Sequence, residues 1–328
     1  MYSPEDFSGG VFVSIIVPPL LACAMIPIQK GVKDLKRGVI IFSLLFCLCS
    51  FCRSEADIDL QKSQTINLKS VGNARELGGY ITNDGRKVKR GVLLRTAALY
   101  GISSDDVTRL TEDYRLSVIA DLRTSLEAGT KPDPVIDGVK YVSLHVLNEE
   151  AFTKNVEKQL AVEGGVMERL NFVVDRGIVS YDMYVRFLSD DSGKKAYREF
   201  FKELLDLPSG RSLLFHCSQG KDRTGCAAMF ILSALGVNEE TIMEDYMLTN
   251  VFNAELIDGQ HRMLQSNGVK ESDIEKYMLV LDEVNPKTMR TVLSWLEENY
   301  GSPLGYITSE LGVSPDEIEL LKAKFLEE

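Results

Sequence analysis

The chain has 328 residues, 45% of them apolar, enough to bury a large core in one or two domains. Its formal charge of −11 excludes general nucleic-acid binding, which needs a basic face, and disfavours broad docking on an anionic membrane. Of its 6 cysteines, Cys23, Cys47, Cys49 and Cys52 crowd the start and only Cys217 and Cys226 lie beyond, so no disulfide scaffold is implied.

Val11 to Ile28 is apolar but interrupted by Pro18, Pro19 and Pro27, which would cost a spanning helix several backbone bonds. Lys30, Lys33, Lys36 and Arg37 then precede an uncharged run from Val39 to Cys52. A basic region followed by a short apolar core is the layout of a secretory signal peptide, and the run is short for a spanning helix of about 20 residues. The expectation is an upstream extension over residues 1–24, with translation starting at Met25, and a signal peptide or membrane anchor over 25–52. Export follows, to the periplasm or to a membrane-anchored or lipoprotein form; if the segment is no signal, the chain is cytoplasmic. Cys49 or Cys52 would be the lipidated residue, although neither follows a clean small-residue pair; Ser54 or Ala56 would flank an ordinary cleavage site.

One catalytic domain is expected over residues 60–328. Ile66 to Asn73 reads as its first element. Gly78-Gly79 and Asn83-Asp84-Gly85 are turn signals, predicting a hairpin from Gly79 to Leu94. Arg75 and Arg95 stand beside these turns, either bordering an anion site or forming surface ion pairs. Ser103-Ser-Asp-Asp106 predicts a capped helix start. Leu116 to Ala120 is an apolar strand ending at Asp121. Ligands gather outside the carboxyl ends of strands in open α/β sheets, so Asp121 is a site candidate, with a helix cap as the alternative. A loop at Lys131–Pro134 and a strand from Val139 to Val146 follow, with His145 read as structural. Asn148 to Ser180 carries apolar residues at helical intervals, broken at Gly164-Gly165 into two helices. Tyr184 to Leu205 supplies further helices.

The decisive stretch is His216-Cys-Ser-Gln-Gly-Lys-Asp-Arg-Thr-Gly225. A buried strand, Ser212 to Phe215, precedes it, and a buried helix, Cys226 to Leu235, follows and ends at Gly236. Strand, tight loop and helix bring backbone N–H groups together on an anion at a helix N-terminus. Arg223 can grip two phosphate oxygens through its planar fork. Cys217 sits under converging dipoles that favour its thiolate, a nucleophile aimed at phosphorus. A nucleotide-binding loop is disfavoured because Phe215 stands where its first glycine belongs and Asp222 follows the lysine. A zinc site from His216, Cys217 and Cys226 lacks paired spacing and a fourth ligand. Beyond the loop, Glu239 to Asn250, Met263 to Val280 and Pro286 to Tyr300 read as helices. Ser302 to Phe325 reads as two more, the last started by Ser314-Pro-Asp-Glu317.

The C-x5-R loop in this HCxxGKDRTG form resembles the bacterial tyrosine/lipid phosphatases of the protein tyrosine phosphatase superfamily. The likeness runs from about Asn67 to Glu328. Asn73-Ala-Arg-Glu-Leu-Gly-Gly-Tyr80 is similar to the family's N-F-R-D-L-G-G-Y box, with Ala74 and Glu76 as departures. Leu94–Leu99, Ile119–Thr124 and Asp245–Asn250 are similar to its Y-R-S-x-x-L, I-D-L-R-T and D-Y-L-L-T-N segments. The resemblance implies an α/β fold, a tyrosine-phosphatase-like, mostly parallel central sheet flanked by helices, with a helical lid at residues 148–180. It also implies a cysteine-dependent phosphomonoester hydrolase needing no cofactor and no metal. Its substrate would be a phosphorylated protein, on tyrosine and also serine or threonine, or a phosphoinositide. Cys217 would attack phosphorus. Ser218, Gln219, Gly220, Lys221, Arg223 and Thr224 would bind the phosphate, the charge of Lys221 suiting multiply phosphorylated headgroups.

His216 would orient the loop. Thr224 would bond the Cys217 sulfur or merely start the helix. The family uses the loop aspartate, here Asp222, as acid; Asp121 is the alternative. A carboxyl among N–H donors beside Arg223 is expected to favour its ionised form. The rival readings are a catalytically silent phospho-binding module and a rhodanese-like sulfurtransferase. Membrane association would come only through the N-terminal segment.

Overall fold

The computed structural model describes residues 64–328, so the readings of residues 1–24 and 25–52 lie outside the described residues. The strands are β1 (Arg75–Glu76), β2 (Lys87–Val88), β3 (Leu93–Thr96), β4 (Leu116–Asp121), β5 (Lys140–Ser143), β6 (Ser212–His216) and β7 (Leu326–Glu327). Five form a sheet in the order β1-β3-β6-β4-β5, in which only β1 runs antiparallel to its neighbour. This is the α/β architecture with a mostly parallel sheet that the sequence predicts.

The central strands β4 and β6 are buried on both faces, which is why they are mainly apolar runs, whereas the edge strand β5 is largely exposed. Side chains still alternate in direction along each strand. Leu213 and Phe215 of β6 enter the main core with Val118 and Ala120 of β4, whereas Leu214 and Ile119 enter a second core with Ile66 and Leu110. Over the main-core face lies the helix that follows β6, α7 (Arg223–Leu235), nearly all of whose residues are buried. Gly236 ends it in the left-handed conformation, φ 85°.

The remaining helices are α1 (Ser104–Thr108), α2 (Ser125–Thr130), α3 (Glu149–Leu160), α4 (Val166–Asp175), α5 (Met183–Ser189), α6 (Asp191–Asp206), α8 (Glu239–Phe252), α9 (Ala254–Ser266), α10 (Glu271–Val280), α11 (Pro286–Tyr300), α12 (Pro303–Ser309) and α13 (Pro315–Phe325). Predicted caps hold: the Ser103 hydroxyl accepts from Asp106 N–H, and Ser314 and Glu317 form a reciprocal box. The 148–180 stretch does form two helices. Phe152 and Val156 of α3 join the main core, and Leu170 and Val173 of α4 join a third cluster with Ile257, Leu264 and Met278 of α9 and α10. Among the described residues no helix is long and apolar enough to cross a membrane.

Three local expectations change. Ile66 to Asn73 forms no regular element. The hairpin closes within Gly79 to Val88, and β2 goes on to pair with β7, while β3 leaves to join β6 in the central sheet. The helix read through Met263–Val280 is two helices, because Gly268 adopts φ +79° between them.

Candidate active site

Strand β6 ends at His216 and delivers Cys217, 2% exposed, to the start of the loop. Among the described residues, the backbone N–H groups of Ser218 to Asp222 donate to no protein acceptor. An unspent row of amides at the N-terminus of α7 is the electropositive nest that an oxyanion needs. Gly220 makes the turn at φ +66°, and a Cβ there would lie 2.4 Å from the Thr96 carbonyl oxygen. Only glycine permits both the conformation and this approach to β3.

Arg223 is held by Glu127 of α2 through two parallel bonds, Nη1 to Oε2 at 2.6 Å and Nη2 to Oε1 at 2.8 Å. Burial opposes the charged form of Arg223, but the Glu127 carboxylate outweighs it and raises its pKa. Ser218 Oγ donates to the same Oε1 at 2.6 Å, so one carboxylate ties the first and last thirds of the loop together. Glu127 is itself fixed by a capping box with Thr124. Thr224, fully buried, makes no hydrogen bond among the described residues with its hydroxyl, to the Cys217 sulfur or any other acceptor.

Arg75 and Arg95 are both fully buried, and neither is a surface ion pair. They share Asp245 of α8: Arg75 Nε to Oδ1 at 3.1 Å and Arg95 Nη1 to Oδ2 at 2.5 Å. Arg95 Nη2 reaches the Gly220 carbonyl at 2.9 Å, and Asn73 Nδ2, whose Oδ1 accepts from Arg75, reaches the same carbonyl at 2.9 Å. The two arginines thus brace the back of the loop.

The amide of Lys221 belongs to the unspent row, but its side chain departs from its expected place among the phosphate ligands. It is 2% exposed, and its ammonium donates to the carbonyls of Leu281, Leu279 at 3.2 Å and Glu283 at 3.3 Å. The last turn of α10 and the chain following it turn these oxygens toward the loop, and a buried ammonium must find such acceptors. Gln219 Nε2 lies 3.5 Å from the Leu281 carbonyl.

The two candidate acids sit in different surroundings. Asp121 lies at the end of β4, with both oxygens taken by the Arg123 guanidinium at 2.7 to 3.0 Å. Burial would raise its carboxyl, but the His216 ring and Arg123 outweigh that and hold it below the usual range. Arg123 also binds Asp133, whose Oδ2 lies 3.1 Å from His216 Nε2, while His216 Nδ1 faces the Cys217 carbonyl at 3.2 Å. Asp121 therefore belongs to a buried network behind the loop. Asp222 keeps 19% of its side chain exposed and receives the Tyr184 hydroxyl on Oδ1 at 2.9 Å. Burial raises its carboxyl above the ordinary value, against the pull of Lys221, Tyr184 and Arg223. The direction is opposite to that expected for a carboxyl among N–H donors, because burial outweighs the neighbouring cations.

A family model described as the tyrosine phosphatase family matches residues 66–327. The chain belongs to that family. It is 27% identical over 262 residues to a protein of Cupriavidus necator whose name assigns it provisionally to tyrosine-protein phosphatases, covering 80% of this chain and 89% of that one. It is 24% identical over 263 residues to the triple specificity protein phosphatase PtpB of Mycobacterium tuberculosis, covering 73% of this chain and 92% of the relative. A tyrosine-protein phosphatase of Nostoc commune is 25% identical over 233 residues, covering 68% and 73%. This tyrosine phosphatase is accordingly a phosphoric monoester hydrolase, not the sulfurtransferase or the silent binding module.

In the sequence of this phosphatase Glu127, Asp133 and Tyr184 do not stand out as site residues, and Asn73 and Asp245 stand only as parts of motifs. A signal existed for Glu127, since Thr124-x-x-Glu127 has capping-box spacing. Asp133 and Tyr184 carry no local signal; only the fold brings them to His216 and Asp222.

Proposed function

We propose that the phosphatase hydrolyses phosphotyrosine in two steps, with Cys217 as nucleophile and Asp222 as acid and base. The phosphate would lie on the free amides of the loop beside Arg223. The Cys217 sulfur forms a bond to phosphorus as the phosphorus–oxygen ester bond breaks, and the leaving oxygen takes the Asp222 proton. Water then attacks phosphorus, gives its proton to Asp222, and the sulfur–phosphorus bond breaks. The observation carrying this reading is the contrast between the carboxyls: Asp222 is part-exposed with a raised pKa, whereas Asp121 is gripped by Arg123.

The triple specificity in the name of the Mycobacterium relative supports a range wider than phosphotyrosine; phosphoserine, phosphothreonine and phosphoinositides are the further substrates proposed. The engagement of Lys221 by three carbonyls favours phosphoprotein over inositol lipid, since its N–H donors are already spent. A panel of phosphopeptides against inositol phospholipids tests this. Turnover of the peptides should dominate and vanish in Cys217→Ser; dominant turnover of the lipids would reverse the substrate assignment.

Export directed by residues 25–52 is a separate proposal, supported by the basic cluster and apolar run. Intact-mass measurement of the native protein should give a chain starting after about residue 48. A full-length chain in the soluble cytoplasm would sink it.

A further inference from the structure

Tyr184 takes no part in the chemistry above, yet its hydroxyl is fully buried and pointed at the loop acid. We infer that Tyr184, backed by Tyr246, is the positioning residue that fixes the Asp222 carboxyl so that Oδ2 carries the proton to the leaving group. The inference rests on Asp222 being the acid.

The geometry is a short chain of hydroxyls. Tyr184 of α5 lies 2.9 Å from Asp222 Oδ1, the Tyr246 hydroxyl of α8 lies 3.1 Å from that of Tyr184, and the Asn285 carbonyl lies 3.5 Å from Tyr246. The ionised carboxyl can only accept, so towards it the one Tyr184 proton goes to Oδ1. A Tyr184 that keeps Oδ1 as an acceptor places the proton of the neutral acid on Oδ2. The rings are held firmly: Tyr184 stacks on Phe187 at 5.6 Å and meets Tyr246 edge-on at 6.0 Å. Arg223 is bonded to Glu127, and the Lys221 ammonium, which donates to carbonyls, stands 3.9 Å from Asp222 Oδ2, beyond hydrogen-bond reach, so the short bond that orients this carboxyl comes from Tyr184.

The groups acting on Asp222 come from every side. Lys221, Arg223 and Tyr184 favour the charged form, and Asp282 disfavours it together with burial. Tyr246 and Cys226 also feel its charge, and burial raises both of them well beyond neutral pH, so neither changes state there. A hydroxyl bonded to a carboxylate stabilises the charged form more than the neutral one. Deleting it should therefore move the acid's titration upward while loosening its aim.

The test is the pH profile of kcat/KM in Tyr184→Phe, with phosphotyrosine and with a fluorinated aryl phosphate whose leaving group is a weak base. The alkaline limb should rise by about one pH unit, equivalent to about 1.4 kcal/mol. At the plateau phosphotyrosine turnover should fall about tenfold or more, and the fluorinated ester should be largely spared. Tyr246→Phe, one hydroxyl further out, should show a smaller shift of the same sign and carries the test if Tyr184→Phe does not fold. An unmoved limb in the folded variants overturns the inference, because packing alone would not move it. Asp222→Asn, measured beside them, separates the two ideas. If Asp222→Asn slows both esters alike, the assignment of the acid has failed. If it spares the fluorinated ester while the tyrosine variants match wild type, only the role of Tyr184 has failed.

Discussion

Glu127 holds the arginine that must meet phosphate, and the same carboxylate oxygen holds Ser218. Glu127→Gln keeps the size but removes the charge and one bond of the fork. Because small misplacements of a reacting group cost up to about 10²-fold, kcat should fall by that order for every ester, whatever its leaving group. Asp222→Asn should behave differently. It should depress phosphotyrosine hydrolysis by about 10²–10⁴-fold and largely spare an ester with a low leaving-group pKa, which steady-state rates on the two substrates would check. The same leaving-group pattern in Asp121→Asn instead would reassign the acid. Cys217, Asp222 and Arg223 were legible from sequence because one loop holds all three. Glu127 was not, for it lies 96 residues before Arg223 and looks locally like a helix cap.

Elements read correctly where local chemistry and burial agreed. Strand β6, helix α7 and its Gly236 cap followed from an apolar run between turn residues. The hairpin failed where they disagreed: the Asn83-Asp84-Gly85 turn is real, but Leu93 to Thr96 are all buried and pair with β6, which draws them into the central sheet. Two predictions belong at this scale. Gly220→Ala must relieve a 2.4 Å contact with the Thr96 carbonyl in a left-handed conformation, so the loop should lose its shape and turnover should collapse. Circular dichroism should still show the fold. Deleting 152–176 removes Phe152 and Val156 from the main core, and loss of a cooperative unfolding transition is the expected result. A deletion that unfolds cooperatively and gains access for bulky substrates would instead support the lid reading of 148–180.

For the molecule as a whole, Asp245 joins the loop to the sheet by bonding two buried guanidinium groups at once. Burial would raise its carboxyl, but Arg75 and Arg95 hold it below the ordinary value of 3.8. A depressed carboxyl contributes stability that is complete above about pH 4 and is lost as pH falls toward the folded value. Asp245→Asn should therefore cost about 3–5 kcal/mol at neutral pH, with the gap to wild type narrowing below about pH 4 in urea titrations. The Lys221 anchorage adds a matter of timing. Its carbonyl partners lie 58 to 62 residues further along the chain, and β7 must return to β2 at the very end. On the ribosome, the thiol, the arginine and the acid all emerge well before the oxygens that steady the loop between them. Hydrolytic competence should arrive only once residue 283 has cleared the exit tunnel, so a nascent chain carries its reacting groups in an idle state.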